Sequence, residues 1–197
     1  MTETTPSLKC SAFDGHTLLV RGDLITVALA VKTAAAERPE ATILTFDDLT
    51  GRVIDLDLRG SPEEITARLT QPAPTAPETA PETPRGRGRP KLGVVAREVT
   101  LLPRHWDWLA AQPGGASQAL RRLVEDARKN DGGETDARAA QEAAYRFMSA
   151  MAGNLPGFEE ASRAFFANER ERFAEQAAAW PVDVREHVRR LAWGDAA

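Results

Sequence analysis

The sequence predicts an α+β protein: a small antiparallel ββαββα N-terminal domain, a proline-rich linker, then a short strand and a mainly α-helical C-terminal half. Three observations carry this. Residues 8–70 switch between hairpin, strand and helix patterns. Residues 71–84 hold five prolines. From Pro103 onward, apolar residues recur at helical spacing.

The elements follow in order. Asp14-Gly15 lies between apolar segments and predicts a hairpin turn. Asp23 is placed to cap a helix in which Leu24, Val27, Ala28 and Val31 share a face, running to about Glu37 and ended by Pro39. Ala41 to Asp47 reads as a strand and Thr50-Gly51 as a turn. Val53 to Leu58 alternates apolar with acidic at period two, a further strand. Ser61, Pro62 and Glu64 form a strong helix start, with serine at the N-cap, proline at N1 and glutamate at N3. One antiparallel sheet covered on one face by two helices accommodates this order.

Residues 71–93 are read as a linker ending in a basic arm. The tract Gln71–Pro84 cannot bury apolar surface and favours extended polyproline II. Residues 94–129 then read as a strand-helix-helix unit. Val94 to Leu102 is β-rich, Pro103 opens a helix with Trp106, Leu109 and Ala110 on one face, and Pro113-Gly114-Gly115 breaks it. Ser117 is expected to cap a second helix with the stripe Leu120, Leu123, Val124 and Ala127. Such a unit makes a poor core alone, and dimerisation through the strand would complete it. Residues 136–194 form the C-terminal helical region: one helix over about 136–152, another from Gly157 carrying Phe158, Phe165, Phe173 and Trp180, and a last one opened by Pro181 and Asp183.

Charge is distributed unevenly. The chain carries a net −4, yet residues 1–84 hold 7 Lys/Arg against 13 Asp/Glu, residues 85–129 hold 10 against 4, and residues 130–197 hold 8 against 12. A basic middle in an acidic chain points to a polyanion, with nucleic acid the first candidate. The single cysteine, Cys10, excludes an intrachain disulfide and a cysteine zinc cluster. No secretory leader pattern opens the chain and no apolar run reaches about 18 residues, which predicts a cytoplasmic protein without a membrane span. Asp47, Asp48, Asp55 and Asp57 are acidic neighbours that a divalent metal could use, but Asp55 and Asp57 fall on the outward half of an alternating strand. A solvated sheet face plus a polar turn is the simpler reading. His16 reads as an exposed loop histidine, and His187 has no acid-base partner identifiable from sequence. No phosphate loop, nucleophile elbow or metal-ligand spacing is present, so no catalytic residue, cofactor or metal site is assigned.

Arg87-Gly88-Arg89-Pro90-Lys91 resembles the core of an AT-hook, with Gly86 where that family usually has proline. The resemblance implies arginines laid along a narrow A·T-rich minor groove, whose negative potential favours them. Residues 94–129 resemble the ribbon-helix-helix DNA-binding fold, which implies a strand paired across a dimer and placed in the major groove. In that fold the places two and four before the proline read bases; here Leu101 and Val99 stand there and look like core. A plain helical hairpin continuing into the C-terminal bundle is the alternative. Taken whole, through Gly88 to Val95, Val99 to Leu109, Pro113 to Ser117 and Ala144 to Met148, the chain resembles a bacterial family known as domain of unknown function 2239. That likeness implies no activity.

The expected function is a non-enzymatic DNA-binding or DNA-associated protein, a regulator acting as a homodimer on double-stranded DNA. Arg87, Arg89 and Lys91 would make the principal contacts, supported by Arg85, Arg97, Arg104, Arg121 and Arg122. The alternative is a protein-protein adaptor or dimeric scaffold whose basic linker only aids solubility. An enzyme using the four aspartates with a divalent metal is the third reading.

Overall fold

The computed structural model describes residues 8–70 and 97–194. The chain divides into two compact units, Met1–Ala73 with Gly133–Ala197, and Pro74–Gly132. The residues read from sequence as a linker and basic arm, 71–93, lie outside the described residues.

The first unit opens with β1 (Lys9–Asp14) and β2 (Thr17–Asp23), joined by the Asp14-Gly15 turn, then α1 (Leu24–Glu37), β3 (Ile43–Asp47), β4 (Val53–Ile54) and α2 (Pro62–Thr70). The expected ββαββα order is present. All neighbours in the sheet pair antiparallel, in the order β2-β1-β3-β4. Local chemistry accounts for the helix starts. The Asp23 carboxylate accepts from the Thr26 amide at 3.0 Å and caps α1. At α2 the Ser61 amide donates to Glu64 at 2.7 Å while the Glu64 amide donates back to Ser61 Oγ at 3.3 Å, a reciprocal capping box.

The sheet is covered on both faces, not one. Cys10 and Ala12 of β1 point to α1 and pack with Val27 and Val31. Phe13, on the other face, packs with Phe46 of β3 and with the C-terminal helices. Those are α5 (Glu134–Ala152), α6 (Phe158–Phe166), α7 (Arg170–Gln176) and α8 (Val182–Trp193). The segments read as 8–70 and 136–194 thus contribute to one shared core. Phe13, Phe46 and Phe147 are fully buried, with ring centroids 4.8–6.1 Å apart. Each such burial stabilises by about 1.5–3 kcal/mol, and edge-to-face pairing adds ~0.5–1.5 kcal/mol per pair.

Several expectations need correction. Only Val53–Ile54 pairs as β4, although the period-two pattern persists: Ile54, Leu56 and Leu58 pack against the α1 side while Asp55 and Asp57 stay exposed. The helix expected from Gly157 through Trp180 is two helices, separated where Asn168 takes a left-handed φ of 57°. Asparagine is among the few residues that tolerate that conformation, and its Oδ1 accepts from the Trp193 indole at 2.9 Å. The two paired segments of the hairpin also slip by one residue between Ala12 and Phe13, a bulge that puts both Leu19 and Val20 on the α1 side.

The second unit holds α3 (Pro103–Ala110) and α4 (Gly115–Asn130). Pro103 opens α3 as expected. α4 begins two residues before Ser117, with Gly114 as N-cap at φ 81°, so Ser117 lies inside the first turn and makes no cap. The strand expected over 94–102 is absent from its described part: Arg97 to Leu102 is irregular. Without a paired neighbour a lone strand leaves its ladder groups unmade.

Candidate nucleic-acid interface and a buried charged cluster

In the second unit, among the described residues, only Leu109 and Ala119 are buried. Val99, Leu102, Trp106, Trp108, Leu123 and Val124 remain 40–55% exposed, so Leu123 and Val124 of the α4 stripe stay uncovered while Leu120 is half-buried. Arg97, Arg104, Arg121 and Arg122 are all exposed, and none of these four enters an ion pair among the described residues. Arg128 is bridged to Glu125, and Arg128 and Lys129 sit in the last turn of α4, where the helix dipole favours cations. Arg85, Arg87, Arg89 and Lys91 lie outside the described residues.

The first unit treats its cations differently. Nine of its arginines are paired: Arg38 with Asp14, Arg59 and Arg68 with Asp57, Arg146 with Glu142, Arg163 and Arg172 with Glu160, Arg185 and Arg189 with Glu186, and Arg190 with Asp48. The exposed pairs among these are worth ~0.2–1 kcal/mol each.

The four aspartates singled out in the sequence serve separate ends. Asp47 accepts from the Leu49 amide and from Thr50 Oγ1, closing the β3–β4 turn. Asp55 is exposed. Arg59 beside Asp57 holds that carboxyl well below the usual range. Asp48 alone is buried, its side chain 8% exposed. Among the described residues no three His, Cys, Asp or Glu gather where they could hold a metal. Cys10 is buried, and its thiol is pushed up to about 12 by burial first and then by Asp48, Asp47 and Asp23. A thiol held protonated is a poor nucleophile.

Asp48 belongs to a cluster the sequence did not reveal. Arg190 of α8 donates to its Oδ2, which also accepts from Ser11 Oγ at 3.1 Å. Arg21 of β2 donates through Nε to Ser11 Oγ at 3.4 Å and through a terminal nitrogen to His187 Nδ1 at 3.2 Å. Because Nδ1 is the acceptor there, the neutral ring carries its proton on Nε2, which faces Asp48 Oδ1 at 3.6 Å, too long for a full hydrogen bond. His187 is fully buried, with Phe13 and Phe147 edge-on at 5.2 and 4.4 Å. Burial first, then the charges of Arg190 and Arg21, push its pKa down to about 3, so the ring is neutral near pH 7. This network ties the sheet to α8. One signal was present in the sequence: His187 falls within the α8 stripe of Val184, Val188 and Leu191. For Asp48 there was none, since its partners lie 37 and 142 positions away.

His16, exposed as expected, also spans the unit, contacting the Met151 carbonyl at 3.1 Å. Among the described residues no helix is long and apolar enough to cross a membrane.

Comparison with known proteins gives one result. A family model described as an uncharacterized protein conserved in bacteria (DUF2239) matches residues 9–192. No curated protein and no solved structure gives a match.

Proposed function

We propose a non-enzymatic, DNA-associated role for this chain, which belongs to the uncharacterised bacterial family that spans residues 9–192. The observation that supports it is a run of cations in the second unit: Arg97, Arg104, Arg121 and Arg122 all stand exposed and outside ion pairs among the described residues, whereas nine arginines of the first unit are bridged to carboxylates. Such cations meet a phosphate backbone without losing a bridge, and neutralising phosphates releases condensed counterions. Arg85, Arg87, Arg89 and Lys91 act in the same reading as an AT-hook-like arm in the minor groove. A second copy covers the exposed α4 stripe, giving a homodimer with two basic faces.

The test is fluorescence anisotropy with A·T-rich and G·C-rich duplexes across a salt series, comparing the wild type, Arg87→Ala/Arg89→Ala and Arg121→Ala/Arg122→Ala. Every cation removed from a phosphate should flatten the log-log salt slope by about 0.9. An A·T preference that disappears with Arg87 and Arg89 supports the minor-groove arm. Unchanged affinity in both variants removes these residues from the interface. The exposed Trp106, Trp108, Leu123 and Val124 favour one other reading, a protein-protein adaptor. Its signature is a stable oligomer with no duplex affinity even at about 50 mM salt, where such contacts are strongest.

A further inference from the structure

The buried cluster opens onto a cleft. Arg21 and Arg190, two of its members, also line a cavity of about 460 Å³ together with Arg170, Arg189 and Trp193. All of these belong to the first unit, and none is among the residues assigned to DNA. We propose that this cleft binds a small phosphate-bearing compound of about mononucleotide size.

Four guanidinium groups share one small lining with Glu171 and Glu186, and Asp48 stands behind Arg190, so cations outnumber the carboxylates around the cleft. An entering phosphate would meet this excess of positive charge. The arginines are also braced. Arg190 is held by Asp48, Arg189 by both Glu186 oxygens at 3.0 and 3.2 Å, and Arg170 lies 5.3 Å from the centre of the Trp193 ring. Arg21 is oriented by His187 Nδ1 and Ser11 Oγ, which both accept from its guanidinium. A braced guanidinium gives up less rotamer entropy when an anion arrives, and its planar fork matches phosphate oxygens in pairs. The volume lies within the range of small-ligand pockets, and the partly exposed Trp193 supplies an apolar wall for the organic part of the ligand.

Isothermal titration calorimetry of the full chain tests this, with sodium pyrophosphate, AMP and sodium chloride at matched ionic strength as probes. Saturable heat with pyrophosphate and AMP, absent with chloride, is the expected result. Arg170→Gln/Arg189→Gln, which spares Arg21, Arg190 and the buried cluster, should weaken the affinity at least tenfold. The Trp193 indole N–H resonance, assigned with Trp193→Phe, provides a reading in the unmutated cleft and should shift on titration. Absence of saturable heat in the wild type, unaltered affinity in the double variant, or a Trp193 resonance unmoved by pyrophosphate would each overturn the proposal. So would pyrophosphate displaced by duplex DNA while AMP gives no heat, since the phosphate recognised would then be a nucleic-acid backbone.

Discussion

Asp48 and Arg190, 142 positions apart, form a partly buried ion pair that fastens the turn between β3 and β4 to the last helix. The carboxylate is 8% exposed and the guanidinium 22%. Replacing one partner leaves the other charge in a low-dielectric setting. Asp48→Asn should therefore destabilise by about 3 kcal/mol, the lower end of the usual ~3–5 kcal/mol because Arg190 keeps some water. A urea denaturation midpoint measures it. Glu142→Gln, which breaks the exposed pair with Arg146, is the control and should change stability by less than ~1 kcal/mol.

His187 predicts an acid-sensitive fold. Its folded pKa of about 3 lies below the ordinary 6.5, so between those values the unfolded chain binds the extra proton. Stability from this group is complete above pH 6.5 and is lost as pH falls toward 3, with a slope of up to about 1.4 kcal/mol per pH unit. Carboxylates contribute below about pH 4.5. The informative quantity is thus the difference between wild type and His187→Gln over pH 6.5 to 4.5, where the variant should show the flatter curve. Identical curves would show that His187 titrates normally in the fold.

Gly51 marks where the β3–β4 turn meets α5. Its φ is +66°, and a Cβ there would lie 1.9 Å from the Ala143 carbonyl oxygen. Arg146 donates to the neighbouring Thr50 carbonyl at 3.1 Å, which holds the two elements at that separation. Gly51→Ala combines a disfavoured backbone with a clash against backbone. It should cost well over ~1 kcal/mol, read as a lowered melting temperature, whereas Gly15→Ala, with open space around its Cβ, incurs only the backbone cost.

The exposed α4 stripe predicts self-association. Leu123→Glu/Val124→Glu places charge on residues 44% and 55% exposed, so the second unit should still fold. Analytical ultracentrifugation should find the wild type dimeric and the variant monomeric. A monomeric wild type would exclude the homodimer.

What could be read from the sequence was what local chemistry dictates. The Asp14-Gly15 hairpin, the Asp23 cap and the Ser61–Glu64 capping box each involve residues within a few positions, and all three are present. The second covered face of the sheet was hidden because Cys10, Ser11, Ala12 and Phe13 are all buried, so β1 lacks the alternation that reveals which side is wet. The Asn168 break was hidden because helical periodicity runs through it. The Asp48 cluster was hidden for a topological reason: β1, β2, the β3–β4 turn and α8 each supply one or two members, and no window of the sequence contains them together.

The split core also sets an order of events during synthesis. Phe13 and Phe46 emerge early, but Phe147, which covers them, is translated 101 residues after Phe46. At typical elongation speeds that interval is roughly 5–20 s. For that time the nascent sheet shows an aromatic face to the ribosome surface and to chaperones, while the other face can already close on α1. The intervening unit, Pro74–Gly132, is synthesised in that interval. The connectivity of the chain thus lets the aromatic face close only after α5 and α8 have been made.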